Sequence, residues 1–246
     1  MHGISVSDIP VLFPEFGFKI SNFNTLDSTV DAITPEFLDK LSTHFFLNHK
    51  WLKTGDRPIQ EIFKLGYDFE AIYEFIVNFQ PTEDMFVIAY FVAEKGIKFV
   101  PAYDHGSNET VAIIIEIIHG DDGGAGLKYS RFLPLYSGYW HYYKTRMMIK
   151  SISLLLFQDQ KLIPQKGLFS KGLSHESFRN EFASKIARSN TWDWHPDDYI
   201  FCNGQSLQEK DAIDARRMHD YLKEIKFYNK IIQMEKSSFI DKIESE

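Results

Sequence analysis

Between positions 192 and 199 the chain concentrates residue types that do chemistry: Trp192, Asp193, Trp194, His195, Pro196, Asp197, Asp198 and Tyr199 follow one another directly. An imidazole beside carboxylates can work as an acid–base pair. Trp and Tyr in a loop also make contact surfaces, since these side chains dominate interface hot spots. On that reading Trp192, Trp194, His195, Asp197 and Asp198 are binding residues. The purely structural alternative has both Trp plugging the core while Asp197 or Asp198 caps a short turn.

A second string, His119, Gly120, Asp121, Asp122, Gly123, Gly124, Ala125 and Gly126, follows a strongly apolar run. Gly-rich loops after buried strands often cradle phosphate on free backbone amides. Here no Gly-Lys-Ser or Gly-Lys-Thr occurs and no Gly-x-Gly-x-x-Gly, and two carboxylates would repel phosphate. The loop therefore reads as an exposed turn, with Asp121 and Asp122 added to the binding residues. A metal alternative would combine His119, Asp121, His195 and Asp197, whose nitrogen and oxygen donors suit zinc, manganese or iron. It requires the two strings to converge. Asp104 and His105 are expected at the opposite end of a hairpin over 97–118, so they do not join. There is no His-Glu-x-x-His and no cysteine pair, and no cofactor is expected.

Two further features are weaker. Tyr136, Tyr139, Trp140, His141, Tyr142 and Tyr143 precede Lys144 and Arg146, a mixture that can stack bases. Packing of a helix start is the simpler reading. Cys202 stands alone, and a catalytic thiol needs a base beside it. A buried structural thiol is expected.

These strings must be held by a fold. Thr34, Pro35 and Glu36 make a helix start, with a capping hydroxyl, a pre-set φ and an acid at the positive end. Phe37, Leu38, Leu41, Phe45 and Leu52 then keep helical spacing. Pro58 opens a second short helix and Asp68 caps a third, so 34–80 reads as a helical block. Residues 1–33 read as irregular, with a short strand near 18–23. Segments 85–93 and 97–103 read as a hairpin. Residues 111–118 are apolar on both alternating sets, which marks a central strand covered on both faces, with antiparallel neighbours. A strand near 132–136, a helix over 139–157, a loop at 164–172 and a helix from Ser174 to about 188 follow. Phe178, Phe182 and Ile186 give the last its i,i+4 stripe. Ser206 and Glu209 form a capping box that opens a long helix over 207–236. The fold class is α+β. A central, mostly antiparallel sheet over about 85–136 is packed by these helices, in one domain spanning 1–246 with 206–246 as a C-terminal helix on the body.

Composition sets the function classes. The 246 residues are 44% hydrophobic and 25% charged, ordinary for a globular chain, while 22 Phe and 12 Tyr are an excess. That excess serves either a Phe-rich core or an aromatic contact face. One cysteine forbids an intrachain disulfide. Residues 1–10 carry Asp8 and no basic segment leading into an apolar one, so no signal peptide is expected. The apolar runs fall far short of the roughly 18 residues of a membrane span, and a cytoplasmic location without membrane contact is expected.

The net charge of −7 is unevenly spread. Residues 1–126 hold 19 acids and 8 bases, a balance of −11, and 127–205 hold 6 acids and 11 bases, a balance of +5. Either the acidic half draws a basic partner, or the halves face each other. Neither favours nucleic acid, which needs a strong basic face. The leading expectation is an acidic cytoplasmic protein-binding protein without catalysis. A neutralising partner of a basic toxin enzyme, in the manner of an immunity protein or antitoxin, is its concrete form. A metal-dependent hydrolase or nuclease and an oligomeric subunit joined through the 207–234 helix are the alternatives. The oligomeric state stays open.

Overall fold

The computed structural model of the chain describes residues 3–63, 68–79, 82, 85–95, 97, 109–120, 127–158, 163–188, 193–194 and 209–231. Its centre is a sheet in the order β3-β2-β1-β4-β5. The strands are β1 (Met85–Glu94), β2 (Thr110–His119), β3 (Tyr129–Tyr139), β4 (Gln165–Ser170) and β5 (Asp193–Trp194). β1 pairs antiparallel with β2, β2 with β3, and β4 with β5, while β1 and β4 run parallel. The expected α+β architecture, with a mostly antiparallel sheet between helical layers, is the observed one.

β2 shows why. Its odd residues Val111, Ile113, Ile115 and Ile117 enter one apolar layer with Ile72 and Ile76 of α5 (Phe69–Asn78). Ile152 and Leu155 of α6 (Tyr143–Gln158) and Met218 and Leu222 of α9 (Glu209–Glu224) complete that layer. Its even residues Ala112 and Ile114 enter a second layer with Leu168, with Phe178 of α7 (His175–Asn180) and with Ile186 of α8 (Ala183–Arg188). A strand buried on both faces can be apolar at every position, because each alternate side chain meets its own layer. Buried Phe13, Phe37, Phe45, Phe69, Phe91, Phe132, Phe178 and Phe227 show that much of the Phe excess is core.

The caps behave as their residue types dictate. Thr34 accepts the Phe37 amide, Asp68 the Ala71 amide and Ser174 the Ser177 amide. Several extents differ from expectation. α3 (Pro35–Phe45) stops at Phe46, whose φ of 55° is left-handed, and Asn48 caps a separate α4 (His49–Thr54). α9 ends well before 236, with Lys226 left-handed at φ 64°. Both ends close with an amide bonding five residues back, Leu47 to Ser42 and Phe227 to Leu222, a Schellman-type turn without glycine. The expected helix from Ser174 is two, α7 and α8, broken at Glu181. The capping box at Ser206 lies outside the described residues.

No helix opens at Pro58. The segment through Phe63 is irregular and laces the outer edge of β3: the Phe63 amide bonds the Pro134 carbonyl, and buried Gln60 donates to the Phe132 carbonyl and accepts the Ala183 amide. Covering an edge in this way removes a site of unwanted strand pairing. Residues 98–103, which the expected hairpins with 85–93 and 111–118 need, lie outside the described residues. β2 is paired along its length with β1 on one side and β3 on the other. The 164–172 segment, read as a loop, holds β4, because β1 offers it an edge there. Among the described residues, 3–33 are not irregular and hold no strand. Described from Gly3, they form 3-10 turns, one of them over Ile20–Phe23, together with α1 (Ile9–Leu12) and α2 (Leu26–Ala32).

Candidate functional site

Most sequence-derived site residues, namely Trp192, His195, Asp197, Asp198, Asp121 and Asp122, lie outside the described residues, as do Asp104, His105 and Cys202. Two anchor points are described. The Trp194 backbone lies on β5, opposite Gly167 of β4, which in turn faces Phe91 of β1. His119 ends β2, opposite Met85 at the start of β1. The two points are thus separated along β1 and across the sheet. His119 Nε2 accepts a hydrogen bond of 2.8 Å from Arg131 Nε. Among the described residues no group of three or more His, Cys, Asp or Glu could hold a metal ion. The 139–143 aromatic string is divided: Trp140 is buried, with Arg146 bonding the Trp140 and His141 carbonyls, while Tyr139, Tyr142 and Tyr143 are exposed. The apolar stripe of α9 is buried in the chain's own core through Met218 and Leu222. No helix among the described residues is long and apolar enough to cross a membrane.

Among the described residues, a candidate site lies in the N-terminal helical unit. Its short helices cannot bury themselves alone, so Phe13, Phe37 and Phe45 gather over Tyr129 of β3 in a third apolar cluster. Edge-to-face ring contacts hold it, with centroids 5.3 Å apart for Phe13–Phe37 and 4.8 Å for Phe18–Phe37. The packing leaves a half-open cavity of about 350 Å³, lined by residues including Ile4, Leu12, Phe13, Ile33 and Leu41. Thr29 is its one polar lining residue among the described residues, and the Thr29 hydroxyl donates to the Thr25 carbonyl.

The same N-terminal unit exposes many apolar side chains. Val6, Val11, Ile20, Leu26 and Val30 are each more than half exposed, and Leu26 reaches 78%. Leu26 and Val30 are four apart on α2 and share one face. Asp27 and Asp31 follow them at the same spacing, so the helix repeats an apolar–acid pair. Residues 3–33 carry Asp8, Glu15, Asp27 and Asp31 against one base, Lys19. A signal for this helix, overlooked in reading 1–33 as irregular, lies in Thr25, its N-cap, and Ser28 in its first turn, which cap each other reciprocally.

Behind the Phe13 and Phe45 wall sits a polar cluster joining α3 to the sheet. His119 and Tyr129 are cross-strand partners and stack at 4.5 Å with an interplanar angle of 2°. His44, from the last turn of α3, lies 3.2 Å from the Tyr129 hydroxyl through Nε2. Arg131, one turn of the pleat further, also lies over the Phe46 ring. Burial, then the nearby Arg131 charge, pushes the His44 pKa down to about 4 from an ordinary 6.5. Folded His44 is therefore neutral while the unfolded chain binds a proton as pH falls below 6.5. The stabilisation is complete above that pH and is lost as pH falls toward 4. Solvent screening at this partly buried site keeps it to about 1–2 kcal/mol. Calorimetry is expected to show a melting temperature that falls between pH 6.5 and 4, and a shallower fall in His44→Gln, which keeps an acceptor but does not titrate. His175 and His219 are shifted the same way and act equally in both proteins. Identical slopes would contradict the assignment.

No family model matches this chain, and neither a curated protein nor a solved structure matches it.

Proposed function

We propose that this chain is an acidic cytoplasmic binding protein without catalysis, which holds a basic protein partner. Neutralisation of a basic toxin enzyme, as by an immunity protein or antitoxin, is its concrete form. The observation that carries the reading is α2, where Leu26 and Val30 stand 78% and 63% exposed beside Asp27 and Asp31. Exposed apolar side chains at helical spacing gain nothing from water, and contiguous patches of them mark interaction sites. The adjacent carboxylates select a cationic partner and speed encounter. The excess of acids over residues 1–126 extends the same bias. Asp121, Asp122, Trp192, Trp194, His195, Asp197 and Asp198 are proposed as further contacts.

The test couples capture to salt titration. Partners retained by the immobilised chain would be identified, purified and titrated at rising NaCl. Affinity is expected to fall at least tenfold between 50 and 500 mM, since screening shortens the reach of surface charge. Leu26→Ser/Val30→Ser is expected to weaken the same complexes without changing the melting temperature by more than about 2 °C, because surface substitutions seldom move stability much. Salt-independent association with every purified partner would sink the reading.

A further inference from the structure

We infer that the N-terminal cavity is a socket for one large apolar side chain, presented by a polypeptide segment with Lys or Arg flanking that anchor. This rests on the protein-binding reading and names the chemistry of the partner.

The cavity itself rules out polar occupants. Its volume of about 350 Å³ is at the small end of ligand sites. The Thr29 hydroxyl already donates to the Thr25 carbonyl at 2.7 Å, and the other lining residues are apolar. A water there would find too few partners to be held, so the space favours an apolar group. A sugar, a nucleotide or a charged head would leave its own polar atoms unsatisfied.

The surroundings decide between a free apolar molecule and an anchored one. Around α2, at 3.6 residues per turn, Thr29 and Ile33 face the cavity, Leu26 and Val30 come next, and Asp27 and Asp31 stand outermost. Val6, which also lines the cavity, is 51% exposed, and Asp8 ends the same 3-10 turn. From the centre outward the order is thus an apolar socket, an exposed apolar rim and a border of carboxylates. Interfaces built on one buried anchor have this layout, with a rim that excludes water from the centre. A free hydrocarbon would make no use of the carboxylates. A segment with a cationic flank meets them while its anchor fills the socket.

The probe is a displayed library of random twelve-residue peptides selected on the full-length chain. Selected peptides are expected to share one Trp, Phe, Leu or Ile within a stretch bearing at least two Lys or Arg. Replacing that anchor by Ser in the synthetic peptide is expected to weaken binding at least 30-fold, a change that leaves the protein untouched. Thr29→Phe, which extends a ring into the socket, and Asp27→Lys/Asp31→Lys are each expected to weaken it at least tenfold, with circular dichroism confirming the fold. Peptides selected without an apolar anchor, or bound equally by Thr29→Phe, overturn the inference. So does uptake of toluene or decanoate with no peptide selected, or a dimer in light scattering that Thr29→Phe dissociates. A captured protein partner that tolerates Thr29→Phe but is lost on Asp27→Lys/Asp31→Lys would overturn the socket and leave the wider protein-binding reading standing.

Discussion

Ile113→Ala is expected to lower the unfolding free energy by about 3–4 kcal/mol, within the usual 2–5 kcal/mol range for a buried Ile truncated to Ala. Ile113 is fully buried in the middle of β2, opposite Phe91 of β1 and Tyr136 of β3, within the layer that α6 covers. The loss has two parts. Three carbons no longer leave water on folding, and the space they filled stays open. Collapse is restricted because the backbone at this position is pinned by strands on both sides. A register irregularity lies just beyond Ile113, where Leu135 of β3 is the extra residue, so the strands cannot slide to close the gap without disturbing it. In a chain of this length the melting temperature should drop by about 2–4 °C per kcal/mol. Urea denaturation should show a lower midpoint with an unchanged m-value. A cost under about 1 kcal/mol would mean that β2 is not the packed centre of the sheet. Val30→Ala makes the contrast: it is the same kind of truncation on a side chain 63% exposed, and it should cost under about 0.5 kcal/mol.

Tyr90→Phe is expected to cost about 2–3 kcal/mol, although it removes a single oxygen, because that oxygen serves a buried carboxylate. Glu116 is 5% exposed on the second face of β2, and the Tyr90 hydroxyl donates to its Oε2 at 2.7 Å. Arg188 of α8 reaches Oε1 and Ser130 Oγ only at 3.4 Å, with its guanidinium over the Phe132 ring. Burial and the neighbouring carboxylate hold the Tyr90 phenol far above its ordinary pKa, so it remains a donor at any working pH. Without it, Glu116 depends on a cation that is itself half exposed to water. The same reasoning predicts rescue. Tyr90→Phe/Glu116→Leu removes both partners and should recover most of the loss, since an apolar replacement of a buried polar set is often neutral. Urea titration of the parent and both variants checks this. A single variant as stable as the parent, or a double variant worse than the single, would contradict it.

That ion pair also bears on the charge asymmetry. Glu116 belongs to the acidic N-terminal stretch and Arg188 to the basic middle one, so at this point the two halves neutralise each other inside the fold. The exposed acids of α2 make no such pairing among the described ion pairs, while Glu15 meets Lys40 at 3.3 Å. Charge totals along the sequence could not separate carboxylates committed to the interior from those left facing a partner.

Local chemistry was legible wherever a signal spans a few residues. Thr34, Asp68 and Ser174 cap because a side-chain oxygen three residues ahead of a free amide needs no tertiary help. The strand over 111–118 was legible because a β-branched run, apolar on both alternating sets, suits a strand covered on both faces. Helix ends were legible only where Gly or Pro marks them. Phe46 and Lys226 turn left-handed with neither, because packing and the five-residue closing bond outweigh the strain. β4 hid within a segment rich in Gly and Pro, since its strand character comes from the edge that β1 offers.

The candidate site divides along the same line. By itself the amino-acid order determined the α+β class, the buried centre of the sheet, the main helix starts and the acidic bias of the N-terminal half, all properties of neighbours in the chain. Only the tertiary structure decided that Phe13, Phe37 and Phe45 enclose a cavity, that Leu26 and Val30 are left outside it, and that His44 meets Tyr129. Which apolar side chains stay in water depends on how many layers the rest of the chain can place over them. That count is a property of the packed whole, and no window of residues contains it.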